Sequence, residues 1–252
     1  MNDRQLKIKK MLETTKEVHL QHLRQVFSDV SEMTLRRDLS YLENNGYAIR
    51  THGGAISTNK VNIPDGEENE YSKRANENLL LKTAIATKAV SYIEKGRSIY
   101  LDAGSSVMCL ARIIEGEGCT FITSAVNTAL KLSNTTHSVM QLGGQVNKNT
   151  LSCSGPDAIE MLKHINIDLA IMSASGFSID RGFTISNRYE SQLKQAIIEK
   201  AKKVIVLMDC SKIDKDLTFT FAMIDDVDIW ITNKSDKLST IIEKYSEKIE
   251  IV

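Results

Sequence analysis

From about Leu79 onward the chain alternates helical apolar patterns with short β-branched runs, and this alternation constrains the fold more than any other feature. The runs fall at residues 98–101, 120–122, 138–142, 168–172, 204–208 and 229–232. Strands separated by helical stretches cannot close tight hairpins with one another. They pair in parallel through crossovers, and the crossover helices cover the faces of the sheet. The expected class is therefore α/β, built on a mostly parallel sheet.

The N-terminal part reads differently. Leu6, Ile8, Met11 and Leu12 suit a short amphipathic helix, and Val18, Leu20, Leu23, Val26 and Phe27 suit a second. Ser31 offers an N-cap hydroxyl to a third helix, in which Leu35, Leu39 and Leu42 recur at helical spacing up to a stop at Asn45-Gly46. Residues 47–50 then read as a strand, Gly53-Gly54 as a tight turn and residues 55–57 as a return strand. Three short helices closed by a small hairpin outline a winged helix-turn-helix. The polar stretch that follows has few apolar residues to bury. The expected domains are thus 1–57 for the winged helix-turn-helix, 58–78 for a linker and 79–252 for the α/β part.

The formal net charge is +0 over 252 residues, so a nucleic-acid-binding surface must be local. Residues 1–57 carry nine Lys and Arg against seven Asp and Glu, a modest excess. The charged, polar start and the lack of a long apolar run lead us to expect a cytoplasmic protein with no membrane partner. Cys109, Cys119, Cys153 and Cys210 are widely spaced, which fits reduced core residues. His19 and His22 sit three apart without companion ligands, so no metal or cofactor is expected.

On a helical wheel the third helix puts Leu35, Leu39 and Leu42 on one face and Met33, Arg37, Ser40 and Asn44 near the opposite one, flanked by Thr34, Arg36 and Tyr41. A recognition helix needs this layout, since its apolar seam packs inward while its polar side enters the major groove. Arg37 is placed for a guanine edge, and Arg36 for a phosphate that sets register. Adjacent arginines on a helix are equally compatible with a solvated face.

In the α/β part, Asp102-Ala103-Gly104-Ser105-Ser106 links the run 98–101 to a helical pattern. Backbone N–H groups and the helix dipole at such a junction favour a bound anion, although Gly-Ser-Ser is also an ordinary turn and cap. Thr123-Ser124 and Gly143-Gly144 follow the next two runs. In an open parallel sheet these three loops can converge beyond the C-terminal strand ends. Glu190 and Lys194 lie one helical turn apart, either as a surface salt bridge or with Lys194 beside a ligand's negative charge.

The segment Val30-Ser31-Glu32-Met33-Thr34-Leu35-Arg36-Arg37-Asp38-Leu39, with Leu42-Glu43, Gly46 and Arg50-Thr51-His52-Gly53-Gly54-Ala55, closely resembles the DeoR family of bacterial transcription regulators. The resemblance extends through Asp102-x-Gly104-Ser105-Ser106, Gly143-Gly144, Gly182-x-Thr184, Lys194 and Asp209-x-Ser211-Lys212. It implies a winged helix-turn-helix followed by a Rossmann-like sensor domain similar to the fold of ribose-5-phosphate isomerase. It further implies a repressor of a carbohydrate-metabolism operon that binds double-stranded operator DNA, responds to a phosphorylated sugar and forms a homodimer or higher homo-oligomer. DNA contacts are then expected from Ser31, Met33, Thr34, Arg36, Arg37, Ser40 and Tyr41, and from Arg50 and His52 on the wing. Effector contacts are expected from Asp102, Gly104, Ser105, Ser106, Thr123, Ser124, Gly143, Gly144 and Lys194. Met33, Ser106 and Ser124 depart from residues common in the family at those places. An activator has the same architecture. A sugar-phosphate isomerase is the rival reading, with Asp102, Glu190 or Asp209 as base, but an enzyme has no need of the N-terminal motif.

Overall fold

The computed structural model describes residues 1–15, 17–44, 47–51, 53–57 and 70–252, and the chain divides into two units, Met1–Ser72 and Lys73–Val252. The first contains α1 (Asp3–Thr15), β1 (Glu17–His19), α2 (Leu20–Val26), α3 (Glu32–Asn44), β2 (Ala48–Thr51) and β3 (Gly54–Ser57). Most of the apolar positions that set the helical pattern form its core: Ile8, Leu12, Leu20, Leu23, Leu35, Leu39 and Leu42 are all buried, whereas Leu6 and Val26 are exposed. Val18 is not helical as the pattern suggested. It lies in β1 opposite Ala55 of β3, giving an antiparallel sheet of order β1-β3-β2. A β-branched residue gains here from strand pairing and burial together. Gly54 allows the close approach, because a Cβ there would stand 2.0 Å from the Val18 carbonyl oxygen. The expected helix stop at Asn45-Gly46 lies outside the described residues.

α4 (Glu70–Asn76) spans the boundary between the units, and the second continues through α5 (Leu79–Ala89), β4 (Ser98–Leu101), α6 (Ser105–Ile113), β5 (Thr120–Thr123), α7 (Val126–Leu132) and β6 (Ser138–Gln141). It proceeds through β7 (Gln145–Asn147), β8 (Ser152–Ser154), α8 (Pro156–Leu162), β9 (Leu169–Met172), β10 (Gly176–Ser178), β11 (Gly182–Ile185) and α9 (Arg188–Lys200). It ends with β12 (Val204–Leu207), β13 (Phe219–Ala222), β14 (Ile229–Thr232), α10 (Ser239–Tyr245) and β15 (Ile249–Ile251). Within the stretch expected to be a linker, residues 58–69 lie outside the described residues, whereas α4 is a helix.

All six β-branched runs become neighbours in one parallel sheet of order β15-β14-β12-β9-β4-β5-β6. β9 and β12 are buried at every position, so their sequences, Leu-Ala-Ile-Met and Val-Ile-Val-Leu, show no polar alternation. The strand period of two still sorts the side chains. Ile99, Leu101, Ile171, Ile205 and Leu207 meet Ile85, Val107 and Leu110 on one face, while Tyr100, Ala170, Met172 and Val206 meet Leu162, Leu193 and Trp230 on the other. From β4 the chain runs outward through β5 and β6, then returns to β9 and runs the opposite way through β12, β14 and β15. The order therefore reverses between β4 and β9, and such a reversal opens a crevice at the C-terminal strand ends.

In the first unit, buried Asp38 accepts from Arg4 and, at 2.9 Å, from Gln5 Nε2, fastening α3 to α1. Asp38→Ala removes both bonds and is expected to destabilise the N-terminal unit by about 1–3 kcal/mol. Urea unfolding of the full chain followed on that unit checks this, and an unchanged midpoint would remove the pair from the account.

Candidate functional site

The N-terminal unit presents α3 as a reading helix. The Ser31 hydroxyl accepts from the Thr34 amide at 3.3 Å and meets the Thr34 hydroxyl at 2.9 Å, capping the helix start. Burial of Leu35, Leu39 and Leu42 turns Met33, Arg37 and Tyr41 outward, all exposed. Arg37 has no hydrogen-bond or ion-pair partner among the described residues. Arg36 instead donates to Glu32 at 3.1 and 2.9 Å, and Glu32 also accepts from Arg24 at 3.1 Å. Arg50, on β2, donates its amide to Glu43 at 2.9 Å and its guanidinium to Ser40 at 3.0 Å, tying the wing strand to α3. His52, the other expected wing contact, lies outside the described residues.

In the second unit a cavity of about 180 Å3 opens at the reversal point. Its floor comes from the loops that leave β4 (Ala103, Gly104, Ser105) and β9 (Ser173, Ala174, Ser175), and Asp209, Ser211 and Lys212 enter after β12. Gly104 precedes α6 and has no side chain to cap it, so the helix's first amides face this region unblocked. Only glycine fits there, since a Cβ would stand 2.0 Å from the Ser173 hydroxyl.

Beneath the cavity sits a buried ion pair. Lys194 of α9 and Asp102 are each 2% exposed and in direct contact. Asp102 also accepts from the Ser173 amide at 2.9 Å and hydroxyl at 2.5 Å, and Lys194 donates to the Ser173 carbonyl at 2.9 Å. Lys194 further lies 4.9 Å from the centre of the Phe221 ring. Its charge is thus met from below, and the remaining cations of the cavity are Arg74, Lys82, Lys212 and Lys215. Lys212 donates to the Ala174 carbonyl at 2.8 Å, and burial pulls its pKa down to about 8 against the raising effect of Asp209. Burial likewise lowers the pKa of Lys82, whose ammonium donates to the Arg74 carbonyl and, at 2.6 Å, to the Glu77 carbonyl. Glu190 lines the cavity too, its carboxyl raised by burial more than Lys194 lowers it.

Of the residues expected to hold an effector, Gly104, Ser105 and Lys194 line the cavity, and Asp102 lies directly behind Lys194. Ser106 is buried one position into α6. Thr123 donates to the Leu101 carbonyl at 2.6 Å and Ser124 bonds the Tyr100 hydroxyl at 2.8 Å, both away from the cavity lining. Gly143 and Gly144 follow β6 at the sheet edge and do not line it either. The loops after β9 and β12 take the place expected for those after β5 and β6, because the reversal lies between β4 and β9. Lys82, Lys212 and Arg74 were not singled out from sequence as effector contacts. Lys82 carried a legible signal: it shares one helical face with Ile85, Ala86 and Ala89, all buried.

A helix-turn-helix with an exposed polar recognition face in one unit, and an α/β fold with a cationic cavity in the other, define a ligand-responsive DNA-binding protein. Residues 4–61 match the family described as the DeoR-like helix-turn-helix domain, and residues 77–234 match the DeoR C terminal sensor domain. The chain belongs to the DeoR family of transcriptional regulators. It is 33% identical to the HTH-type transcriptional regulator GolR of Listeria innocua over 93% of this chain and 92% of that protein. It is 32% identical to the transcriptional repressor AccR of Agrobacterium fabrum over 98% and 94%, and 32% identical to the regulator GlpR of Haloferax volcanii over 81% and 78%. Among solved structures, ribose 5-phosphate isomerase from Methanocaldococcus jannaschii is similar at 16% identity and a TM-score of 0.40, covering 54% of this chain and 55% of that one. So partial a likeness carries no argument about activity. Among the described residues no helix is long and apolar enough to cross a membrane.

Breaking the buried pair tests its role. Lys194→Met leaves Asp102 buried without its counter-charge and is expected to cost about 3–5 kcal/mol, whereas Lys194→Met with Asp102→Asn recovers a large part of that loss. Strictly additive single losses in denaturant would show that the two side chains do not act as a pair.

Proposed function

We propose that this regulator is a repressor of a carbohydrate-metabolism operon, relieved by a phosphorylated sugar bound in the cavity at the β4/β9 reversal. The observation that carries the proposal is the coincidence of uncapped helix amides at Ser105 with Lys82, Lys212 and Arg74 around one cavity. A phosphate monoester is close to a dianion at neutral pH and presents three acceptor oxygens, which suits backbone N–H groups and ammonium donors together. We read the cavity as a sensor and not as an isomerase site. Membership of a family of regulators and the N-terminal helix-turn-helix support this; of the carboxylates considered for an isomerase, Asp102 is engaged by Lys194 and Ser173, while Glu190 and Asp209 line the cavity.

In this reading residues 1–57 bind operator DNA, and residues 79–252 sense the effector together with Arg74, Glu77 and Asn78 from the stretch expected to be a linker. Arg37 reads a base edge, Arg36 leaves Glu32 to hold a phosphate, and Ser31, Met33, Thr34, Ser40, Tyr41, Arg50 and His52 complete the contact surface. Asp102 and Ser106 serve the effector site by shaping the β4–α6 loop, while Thr123, Ser124, Gly143 and Gly144 act as framework. A homodimer would match the symmetry of paired half-sites about one helical turn apart.

Two measurements bear on this. Binding assays on a panel of operator variants should show that Arg37→Ala costs about 1–3 kcal/mol and relaxes preference at one base position, while Arg36→Ala weakens all sequences alike. The opposite assignment of the two effects would exchange their roles.

The second concerns pH. Lys212 faces Asp209, Lys82, Arg74 and Lys194, and with its pKa near 8 it is cationic below that value and neutral above it. Phosphate ester charge is almost constant above pH 7, so affinity for a sugar phosphate should fall as pH rises from 7 to 9. In Lys212→Met binding should be weaker at pH 7 and largely flat over the same range. A wild-type profile without that fall would take Lys212 out of the phosphate site.

A further inference from the structure

A helix that covers one face of a sheet ordinarily turns charged and polar side chains to the solvent. α9 does so, exposing Arg188, Gln192, Gln195 and Glu199. α5 does not. Its inward face buries Lys82, Ile85, Ala86 and Ala89. Its opposite face exposes Leu80, Leu81, Thr83, Ala84 and Thr87, and Ser91 continues that face in the 3-10 turn that follows. Leu80 is 87% exposed, more than any other large apolar side chain among the described residues. The hydroxyls here do not depend on water: Thr83 donates to the Leu79 carbonyl at 2.8 Å, Thr87 to the Thr83 carbonyl at 2.9 Å and Ser91 to the Lys88 carbonyl at 2.9 Å. A helix that is apolar on all sides is normally enclosed, and hydroxyls already bonded within it cost little to bury.

Charge decides what can cover this face. α5 carries no acidic residue, and its one exposed base, Lys88, is 3.5 Å from Glu250. Such a face has no charge with which to hold DNA or an acidic or basic protein, whereas two copies of it meet without like-charge repulsion. The spacing is also self-complementary. Leu80, Ala84, Thr87 and Ser91 follow one line along the helix. Turning that line end for end about a point midway between Ala84 and Thr87 sets Leu80 against the partner's Ser91 and Ala84 against the partner's Thr87, so a large side chain meets a small one at each end.

We propose that the outward face of α5 is the interface between two copies of this chain, packed antiparallel about a two-fold axis. The inference rests on the paired half-site reading above for the need of a dimer, and adds to it the surface that forms one. α5 is the first helix wholly inside the second unit and directly follows α4, which spans the unit boundary. Antiparallel packing along its eleven residues starts the two chains toward their DNA-binding units about 16 Å apart along the helix axis. That is short against the roughly 34 Å between neighbouring half-sites, so neither chain has far to reach.

The test uses the full chain and its mass in solution. Sedimentation velocity over a range of concentrations is run on the wild type, on Ala84→Glu, which sets two like charges at the helix crossing, and on Leu80→Glu. The second variant changes a side chain already in solvent and adds an acid to the first helical turn, where it suits the helix dipole. Leu130→Glu on α7, another exposed apolar position, is the comparison. The wild type should sediment as a dimer or a multiple of one. Both α5 variants should halve that mass and weaken the association at least on the order of hundredfold, with the circular dichroism of the wild type, while Leu130→Glu should keep the wild-type mass. If Ala84→Glu does not fold, Leu80→Glu decides. A wild-type dimer left intact by Leu80→Glu, or dissociated as readily by Leu130→Glu, would overturn the inference and leave the paired half-site reading standing. A wild type that is monomeric at every concentration would overturn the dimer and this interface together.

Discussion

The sensor unit depends on one interaction, the buried contact between Lys194 and Asp102. Removing two charges from water is expensive, and their mutual attraction compensates only when the remaining hydrogen-bonding capacity is also met. Ser173 provides that, giving its amide and hydroxyl to Asp102 and its carbonyl to Lys194. The pair thereby joins α9 to the loops that leave β4 and β9, the two strands between which the sheet order reverses. Both loops are held at the spacing that keeps the crevice open, with Gly104 pressed against Ser173 where no other residue fits.

The same pair sets the electrostatics above it. With Lys194 balanced from below, the net attraction for an anion falls to Arg74, Lys82, Lys212 and Lys215, and Asp209 and Glu190 temper it. Arg74, Glu77 and Asn78 come from the end of α4 and the turn into α5, a segment whose fastening is itself polar. Arg74 donates to the Asn149 carbonyl at 2.7 Å, Asn78 to Asp209 and Ser211, and Lys82 to the two carbonyls of the turn. Hydrogen bonds therefore fasten this wall of the cavity. A bound anion competes for the same donors.

Much of this was legible in the sequence, and the exceptions have physical causes. The six β-branched runs all became strands of the parallel sheet: β9 and β12 are apolar throughout and buried at every position, whereas β6 at the sheet edge, Ser-Val-Met-Gln, is buried at none. Leu35, Leu39 and Leu42 fixed the inward face of α3. Val18 was misread as helical because its pairing partner, Ala55, is remote in sequence and local periodicity cannot see it. Thr123-Ser124 and Gly143-Gly144 look like Gly104-Ser105 as isolated turns, and only strand order separates them. Lys194 had two readings, a surface pair with Glu190 or a place beside the ligand. Its actual partner, Asp102, is 92 residues away, beyond any spacing rule.

A ligand changes DNA binding only through its different affinity for the DNA-competent and DNA-incompetent states. The central claim is that occupancy of the cavity biases that balance, and the direct measurement is fluorescence anisotropy of the full chain on duplexes it has selected from a random pool, with and without a saturating sugar phosphate. The account predicts that DNA affinity falls at least on the order of tenfold in the presence of a sugar phosphate that stabilises the fold. Identical isotherms at full occupancy would contradict it.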